Sequence, residues 1–266
     1  PSNHHSLQTF FHYGANYPGE SVKTPNVLQD NELMYKTGNP NLPLSRQITF
    51  NLQYNWVANN TFSLSLYSQY FGEYDLYVPI FEPYKNGTAI LKTYSSNQDY
   101  NRTQLGLSFN LKLLDGNLQL AAQPSISIFR YKGYYDMKKN PFIVNASATY
   151  YIKQFFLQAS FQSANKTIQG NQGVWYKTRD FYQLQAGWGN SNWNIRLSAI
   201  NMFRGDWLAA TQTLNAPLYS ETVSQGGTYY HRRINISATY TFGYGKKVQR
   251  GNEVGEQSGA SSAILK

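Results

Sequence analysis

Strict alternation of apolar and polar residues, repeated along nearly the whole chain, leaves this sequence little choice of fold. From Ile48 onward, Ile48, Phe50, Leu52, Tyr54 and Trp56 are apolar, while Gln47, Thr49, Asn51, Gln53 and Asn55 are polar. A period of two puts the first set on one face of a strand and the second on the other. The pattern recurs at 62–66, 105–113, 118–128, 144–152, 155–161, 182–188, 193–199 and 230–242, with a weaker instance at Leu7 to Tyr13. Leu118, Leu120, Ala122, Ile126 and Ile128 hold one register past Pro124. The strand after Asn60 is expected to run on to about Ile80 and so to project beyond its neighbours. The total is about ten strands, most near the 9–11 residues that a tilted strand needs to cross hydrocarbon.

The connections sort into two kinds. Asn59-Asn60, Asp115-Gly116-Asn117, the neighbourhood of Lys153, and Gly189 to Asn192 are short turns. Between them lie long polar connections at 14–43, 82–99, 132–140, 163–178 and 205–228. Long and short strictly alternate, so an antiparallel meander gathers all the long ones at one end. Membrane barrels are built this way, with short periplasmic turns and long outside loops. That polarity leaves the C-terminus in the periplasm.

Composition agrees once strand geometry is allowed for. The mean hydropathy of −0.53 reflects the wet half of each strand rather than a soluble surface. Tyr (23) and Phe (15) dominate the apolar content and favour pleated strands. Trp56, Phe62, Tyr150, Phe155, Trp188, Trp193 and Phe242 fall near the short-turn ends, where an interfacial aromatic girdle belongs. The absence of Cys excludes a disulfide framework and Cys-based zinc sites. The net charge of +9 comes from scattered residues without a basic stripe, so it does not read as a nucleic-acid surface. The N-terminus, Pro1 to His5, carries no secretory signal, so the chain is expected to be processed or a fragment. The barrel segment is assigned to 1–243, and the Gly/Ser/charged stretch 244–266 to a periplasmic tail. In that tail Lys246, Lys247 and Arg250 either touch anionic headgroups or are simply solvated.

The wet face is Asn, Gln, Ser and Thr with few charges. A porin is expected to show rings of charge at its constriction. Uncharged hydrogen-bonding side chains suit either water or a polar body packed inside, and plugged lumens belong to barrels of about 22 strands.

Two stretches resemble the TonB-dependent outer-membrane receptors. Gly38-Asn39-Pro40-Asn41-Leu42 resembles the GNPNL signature of those barrels, and Ser237 to Val248 resembles the closing strand of members with a short basic tail. The resemblance implies the C-terminal arc of a larger barrel, taking part in energised import of a scarce ligand such as a siderophore or glycan. It implies as partners an N-terminal plug, further wall strands and the TonB complex, with membrane lipid and lipopolysaccharide around the wall. A self-contained small barrel with a structural or adhesive role is the alternative reading.

No GxSxG, HExxH or phosphate-binding loop occurs, no cofactor is implied, and an enzyme is not expected. An outer-membrane protease is disfavoured because no Asp/His pair falls on facing strand tops. His4 and His5 suggest at most a weak metal site at a strand start. Glu73 and Asp75 share one parity and suggest a Ca²⁺ or cationic-ligand site above the membrane, or solvated wall. Trp175, Tyr176, Trp207, Tyr219 and Tyr229 lie in the long connections. Aromatic rings there either grip a ligand at the mouth or pack the loops on one another. Asn-x-Ser/Thr matches such as Asn145 to Ser147 and Asn235 to Ser237 fall within strands and are read as coincidence.

Overall fold

In the computed structural model, residues 4–169, 173–227 and 230–242 are described. In chain order the elements are β1 (His5–Asn16), α1 (Glu20–Lys23), β2 (Leu28–Asn31), β3 (Met34–Lys36), β4 (Ser45–Val57), β5 (Phe62–Tyr74), β6 (Val78–Tyr84) and β7 (Ala89–Ser95). They continue with β8 (Gln98–Leu113), β9 (Leu118–Gly133), β10 (Met137–Lys139), β11 (Phe142–Ile152), β12 (Phe155–Gln162), β13 (Asn165–Gln169) and β14 (Val174–Thr178). The last are β15 (Phe181–Gly189), β16 (Trp193–Ile200), β17 (Leu208–Asn215), β18 (Ser220–Gly226) and β19 (Arg233–Tyr240).

The large sheet follows the order β1-β4-β5-β8-β9-β11-β12-β15-β16-β19, and every neighbouring pair is antiparallel. All ten expected strands are in it. Cross-strand register carries the sequence alternation across the sheet. Leu118, Tyr150, Leu157, Ala186, Leu197 and Ile236 sit opposite one another in turn, forming an apolar row from β9 to β19. The next row, Gln119, Thr149, Gln158, Gln185, Ser198 and Asn235, is polar throughout. Opposed residues on one face stabilise a sheet pairwise, so the alternation sets the register as well as the faces. The greasy face lies open: Leu7, Phe11 and Ile236 are 65%, 67% and 75% exposed. So large an apolar surface is tolerated only against lipid or protein.

Pro124 stays inside a central strand. It lacks the N–H a ladder needs, and the β8–β9 pairs stop at Gly106–Ser125 and resume in the same register at Phe109–Ala122. On the wet face, two glycines are roofed by rings from the neighbouring strand. Tyr67 covers Gly106 and Phe156 covers Gly187, each occupying the space of the missing β-carbon.

Two expectations need correction. The strand after Asn60 does not continue to Ile80: β5 ends at Tyr74, and Asp75 adopts a left-handed conformation (φ 57). That turn drops Leu76 and Val78, 2% and 0% exposed, into a buried core, and the chain re-emerges as β6 in another sheet. The long connections also fold into more than polar loops. They form two four-stranded sheets, β2-β3-β7-β6 and β13-β14-β17-β18. The buried core of the described residues lies there, where Phe81, Ile168 and Val174 of the small sheets meet Tyr100, Phe129 and Tyr131 at the upper ends of β8 and β9.

Candidate functional site: the loop-built mouth

The mouth is assembled on the long-connection end of the wall. Gln98, 1% exposed, begins β8 and acts as a stand-in strand partner. Its side-chain oxygen accepts the Tyr135 N–H at 2.9 Å, and its side-chain nitrogen donates to the Tyr135 carbonyl at 3.1 Å. The Tyr135 hydroxyl then donates to the Pro79 carbonyl at 2.7 Å, tying the β9–β10 hairpin to β6. Burial pushes the Tyr135 phenol up, with Tyr134 adding to the shift, so it stays a neutral donor. Phe81 of the first small sheet stacks on Tyr219 beside the second, at 4.6 Å. The two loop sheets therefore form one packed body.

The segment Gly38 to Leu42 anchors the β1–β4 connection. Gly38 N–H and Asn39 N–H donate to the carbonyls of Thr24 and Val22, both at 2.8 Å. Asn39 donates from its side chain to the Tyr94 carbonyl at 2.9 Å and accepts the Asn41 N–H at 3.0 Å. Leu42 is buried at 4% exposure. These residues join the connection to β7 just below the mouth.

A second clasp secures the β15 and β17 entrances. Arg204, with a side chain 8% exposed, donates to Asp180 at 2.6 Å, and Arg179 pairs with Asp206. Burial opposes ionisation of Asp206, but Arg179 outweighs it and holds the carboxyl below its usual range.

Two cavities open in this region. One of about 310 Å³ lies between the loop sheets, lined by Pro79, Lys92 and Tyr94 on one side and Gln212, Leu214 and Glu221 on the other. The other, about 400 Å³, is walled by Gln162, Tyr176, Thr178, Arg179, Gln225 and Tyr230 and adjoins the wet face at Gln162. The first has mixed polar and apolar walls with charge of both signs, Lys92 and Glu221, and suits a ligand that is itself amphiphilic or zwitterionic.

The expected site residues divide between these settings. Trp175 and Tyr219 pack against the core, and Lys166 lies 4.5 Å over the Trp175 ring. Burial, then the neighbouring Glu221, raises the Tyr219 phenol. Tyr176 lines the larger cavity. Trp207 is 52% exposed and stacks on His231 at 4.3 Å. Tyr229 lies outside the described residues. Glu73 and Asp75 do not act as a pair. Glu73 accepts from Ser45 at 2.7 Å and Asn16 at 3.1 Å, whereas Asp75 is taken by Arg46 at 2.6 Å. His5 bonds the Tyr54 hydroxyl at 2.7 Å, and among the described residues no three His, Asp or Glu side chains gather as metal ligands. Sequence reasoning missed Gln98, Arg179, Lys92 and Glu221, which the folding of the loops brings to the mouth.

No protein-family model and no curated protein matches the sequence. Solved structures do match. The siderophore receptor PirA from Pseudomonas aeruginosa superposes with a TM-score of 0.60 at 13% identity, covering 91% of this chain and 40% of its own. The fold is that of an outer-membrane β-barrel wall. The FrpB iron transporter from Neisseria meningitidis (TM-score 0.57, 14% identity) and the outer membrane transporter YddB from Escherichia coli (0.52, 9%) match 91% and 90% of this chain. Each is covered over only 38% of its length. The chain thus corresponds to a part of such a barrel.

Proposed function

We propose that this chain forms wall strands and ligand-facing loops of a TonB-dependent outer-membrane receptor. The observation that carries the reading is the open ten-stranded meander, whose long connections at one end are folded into a single packed mouth. Such a mouth stands where an importer would admit cargo. On this reading the wet face meets a plug domain, β1 and β19 meet further strands, and the TonB complex acts through the plug. The arc is the C-terminal portion of a barrel of about 22 strands. The short turns and the C-terminus face the periplasm. The Gly38 to Leu42 segment supports the assignment; the end of the closing-strand resemblance, 243–248, lies outside the described residues.

The neighbours' names point to iron chelates as the ligand class, and the Tyr176 ring in the wall of the larger cavity offers a face for such a cargo. The test is growth of a deletion strain under iron limitation, complemented with the full-length protein or its Tyr176→Ala form. Loss of growth on one chelate, restored by the native protein and weakened by the variant, is the expected result. Iron-independent loss on a glycan would keep the receptor and change its cargo. Unchanged growth on every nutrient tested would favour a small structural barrel.

A further inference from the structure

The two loop sheets meet face to face, and their contact is incomplete. Phe81 stacks on Tyr219 across it at 4.6 Å. Beside that stack lies the cavity of about 310 Å³, with β6 and β7 on one side and β14, β17 and β18 on the other. Ladder register puts Lys92 opposite Phe81 and Tyr94 opposite Pro79. It also sets Val174, Leu214 and Glu221 side by side in one row. Asn39 secures the strand that presents Lys92 and Tyr94, donating to the Tyr94 carbonyl at 2.9 Å. Paired strands thus hold both walls of the cavity in place.

Charge around this cavity is left unmatched. Lys36, opposite Lys92 in the ladder, closes on Asp30 at 2.9 Å, and Asp30 feels Lys92 more weakly. Neither Lys92 nor Glu221 joins any of the four ion pairs among the described residues. Glu221 accepts from the Tyr219 hydroxyl, a neutral donor that fills only part of a carboxylate's capacity. Burial pushes the Tyr94 phenol up, with Tyr77 adding to the shift, so a neutral donor stands beside Lys92. Lys92 is half-buried and Glu221 is exposed at the rim. Cation and carboxylate therefore share one cavity without meeting as a pair. The rest of the wall includes the apolar side chains of Val174, Leu214 and Val223.

We infer that this cavity binds a small amino-carboxylate zwitterion with an apolar side chain. Its carboxylate is held by Lys92 and Tyr94, its ammonium by Glu221, and its side chain lies against Leu214 and Val223. The charges select this class. A simple anion would leave Glu221 unmatched, and a simple cation would be repelled by Lys92. A neutral apolar molecule would leave both charges without partners. One molecule carrying both signs makes charge-assisted contacts at each end, roughly twice as strong as neutral ones. Volume sets the size: about 310 Å³ is the room of about ten waters at ~30 Å³ each, which suits an amino acid such as leucine. Because the walls come from both sheets, an occupant ties the two together. The site is separate from the cavity walled by Tyr176 and depends on the packing of the loop sheets, whatever the imported cargo.

The test uses the full-length protein in mild detergent, dialysed to equilibrium against radiolabelled L-leucine with glycine, leucinamide or N-acetyl-leucine as competitors. Leucine should bind saturably. Leucinamide, which lacks the carboxylate, and N-acetyl-leucine, which lacks the ammonium, should each compete about tenfold more weakly, the loss of one hydrogen bond to a charged group. Glycine, which leaves the apolar walls uncovered, should also be weaker by about tenfold. Lys92→Gln should weaken leucine by about tenfold and remove its advantage over leucinamide. Glu221→Gln should likewise remove its advantage over N-acetyl-leucine. A general loss of fold would weaken every ligand alike, and heat-modifiable migration of each variant reads it separately. Val223→Trp, which fills the cavity, should abolish binding. No saturable binding of leucine to the native protein, or equal competition by its amide and acetyl forms, would overturn the site. Leucine binding unchanged in both charge variants would overturn Lys92 and Glu221 as its holders. Leucine binding beside unchanged growth on every nutrient tested would sink the receptor reading and leave this site standing.

Discussion

Gly38 has no room for a side chain: a β-carbon there would lie 2.6 Å from the backbone nitrogen and oxygen of Thr24 and 2.7 Å from the Val22 oxygen. Backbone atoms cannot swing aside as a side-chain tip can. Gly38→Ala must therefore prise the segment off α1, breaking the bonds to Thr24 and Val22, at a cost of about 1–3 kcal/mol. Faster proteolysis between α1 and β4 should report it, and an unchanged cleavage rate would refute the packing. Leu107 and Gln104 test the two faces. Leu107→Arg places charge near mid-membrane, where a barrel loses about 2–4 kcal/mol, so less folded protein should reach the membrane. Gln104→Arg, opposite Gln69 on the wet face, should leave insertion nearly intact. Equal damage from both would mean the faces are reversed or both buried. The residues carrying the faces are legible in the sequence because alternation is local. Asp75 and Asn201 are not: both adopt positive φ without being glycine, and only their surroundings hold them there.

At the scale of elements, the ten wall strands follow from period-two patterning, though β8 starts seven residues before its alternation and β9 runs five past it, and β5 stops short of Ile80. The nine shorter strands did not announce themselves. β2, β3, β10 and β13 span three to five residues, too short for a period to register. Their apolar members, such as Met34 and Ile168, find a core only across the gap between two connections. The sorting of connections supports a sidedness prediction. Cysteine introduced at Asn86, in the β6–β7 turn, or at Gly226, ending β18, should react with an impermeant maleimide on intact cells. One at Asn190, in the β15–β16 turn, should react only after lysis. Asn171, outside the described residues, is expected to label with the first group. The reverse pattern would invert the chain in the membrane.

For the whole molecule the decisive feature is that the wall has two ends. Among the described residues β1 pairs only with β4 and β19 only with β16. Each free edge presents N–H and C=O groups that lipid cannot satisfy, at several kcal/mol per group. The wet face offers mainly short side chains, Ser63, Ser65, Ser108, Ser147, Ser160 and Ser237 among them, too small to fill a narrow lumen. Expressed alone with a signal peptide, residues 1–266 should not yield a protease-resistant band that shifts on boiling. Co-expression with strands that pair β1 and β19 should restore one. A compact, heat-modifiable monomer from the isolated chain would mean that β1 and β19 can meet, and that the wall closes on itself.

By itself the sequence determined the ten wall strands, their two faces and the sorting of long and short connections. These depend on spacing between near neighbours and on the period of a pleated strand. Only the tertiary structure decided what the loops do. Trp175 and Tyr219 became packing, Tyr176 a cavity wall, and Glu73 and Asp75 were drawn to separate partners. The opposed cations Arg130 and Lys138, eight residues apart in sequence, face each other only because the chain folds back between them. Which polar or aromatic side chains meet across distant connections is set by the closure of the whole sheet, and no local period encodes it.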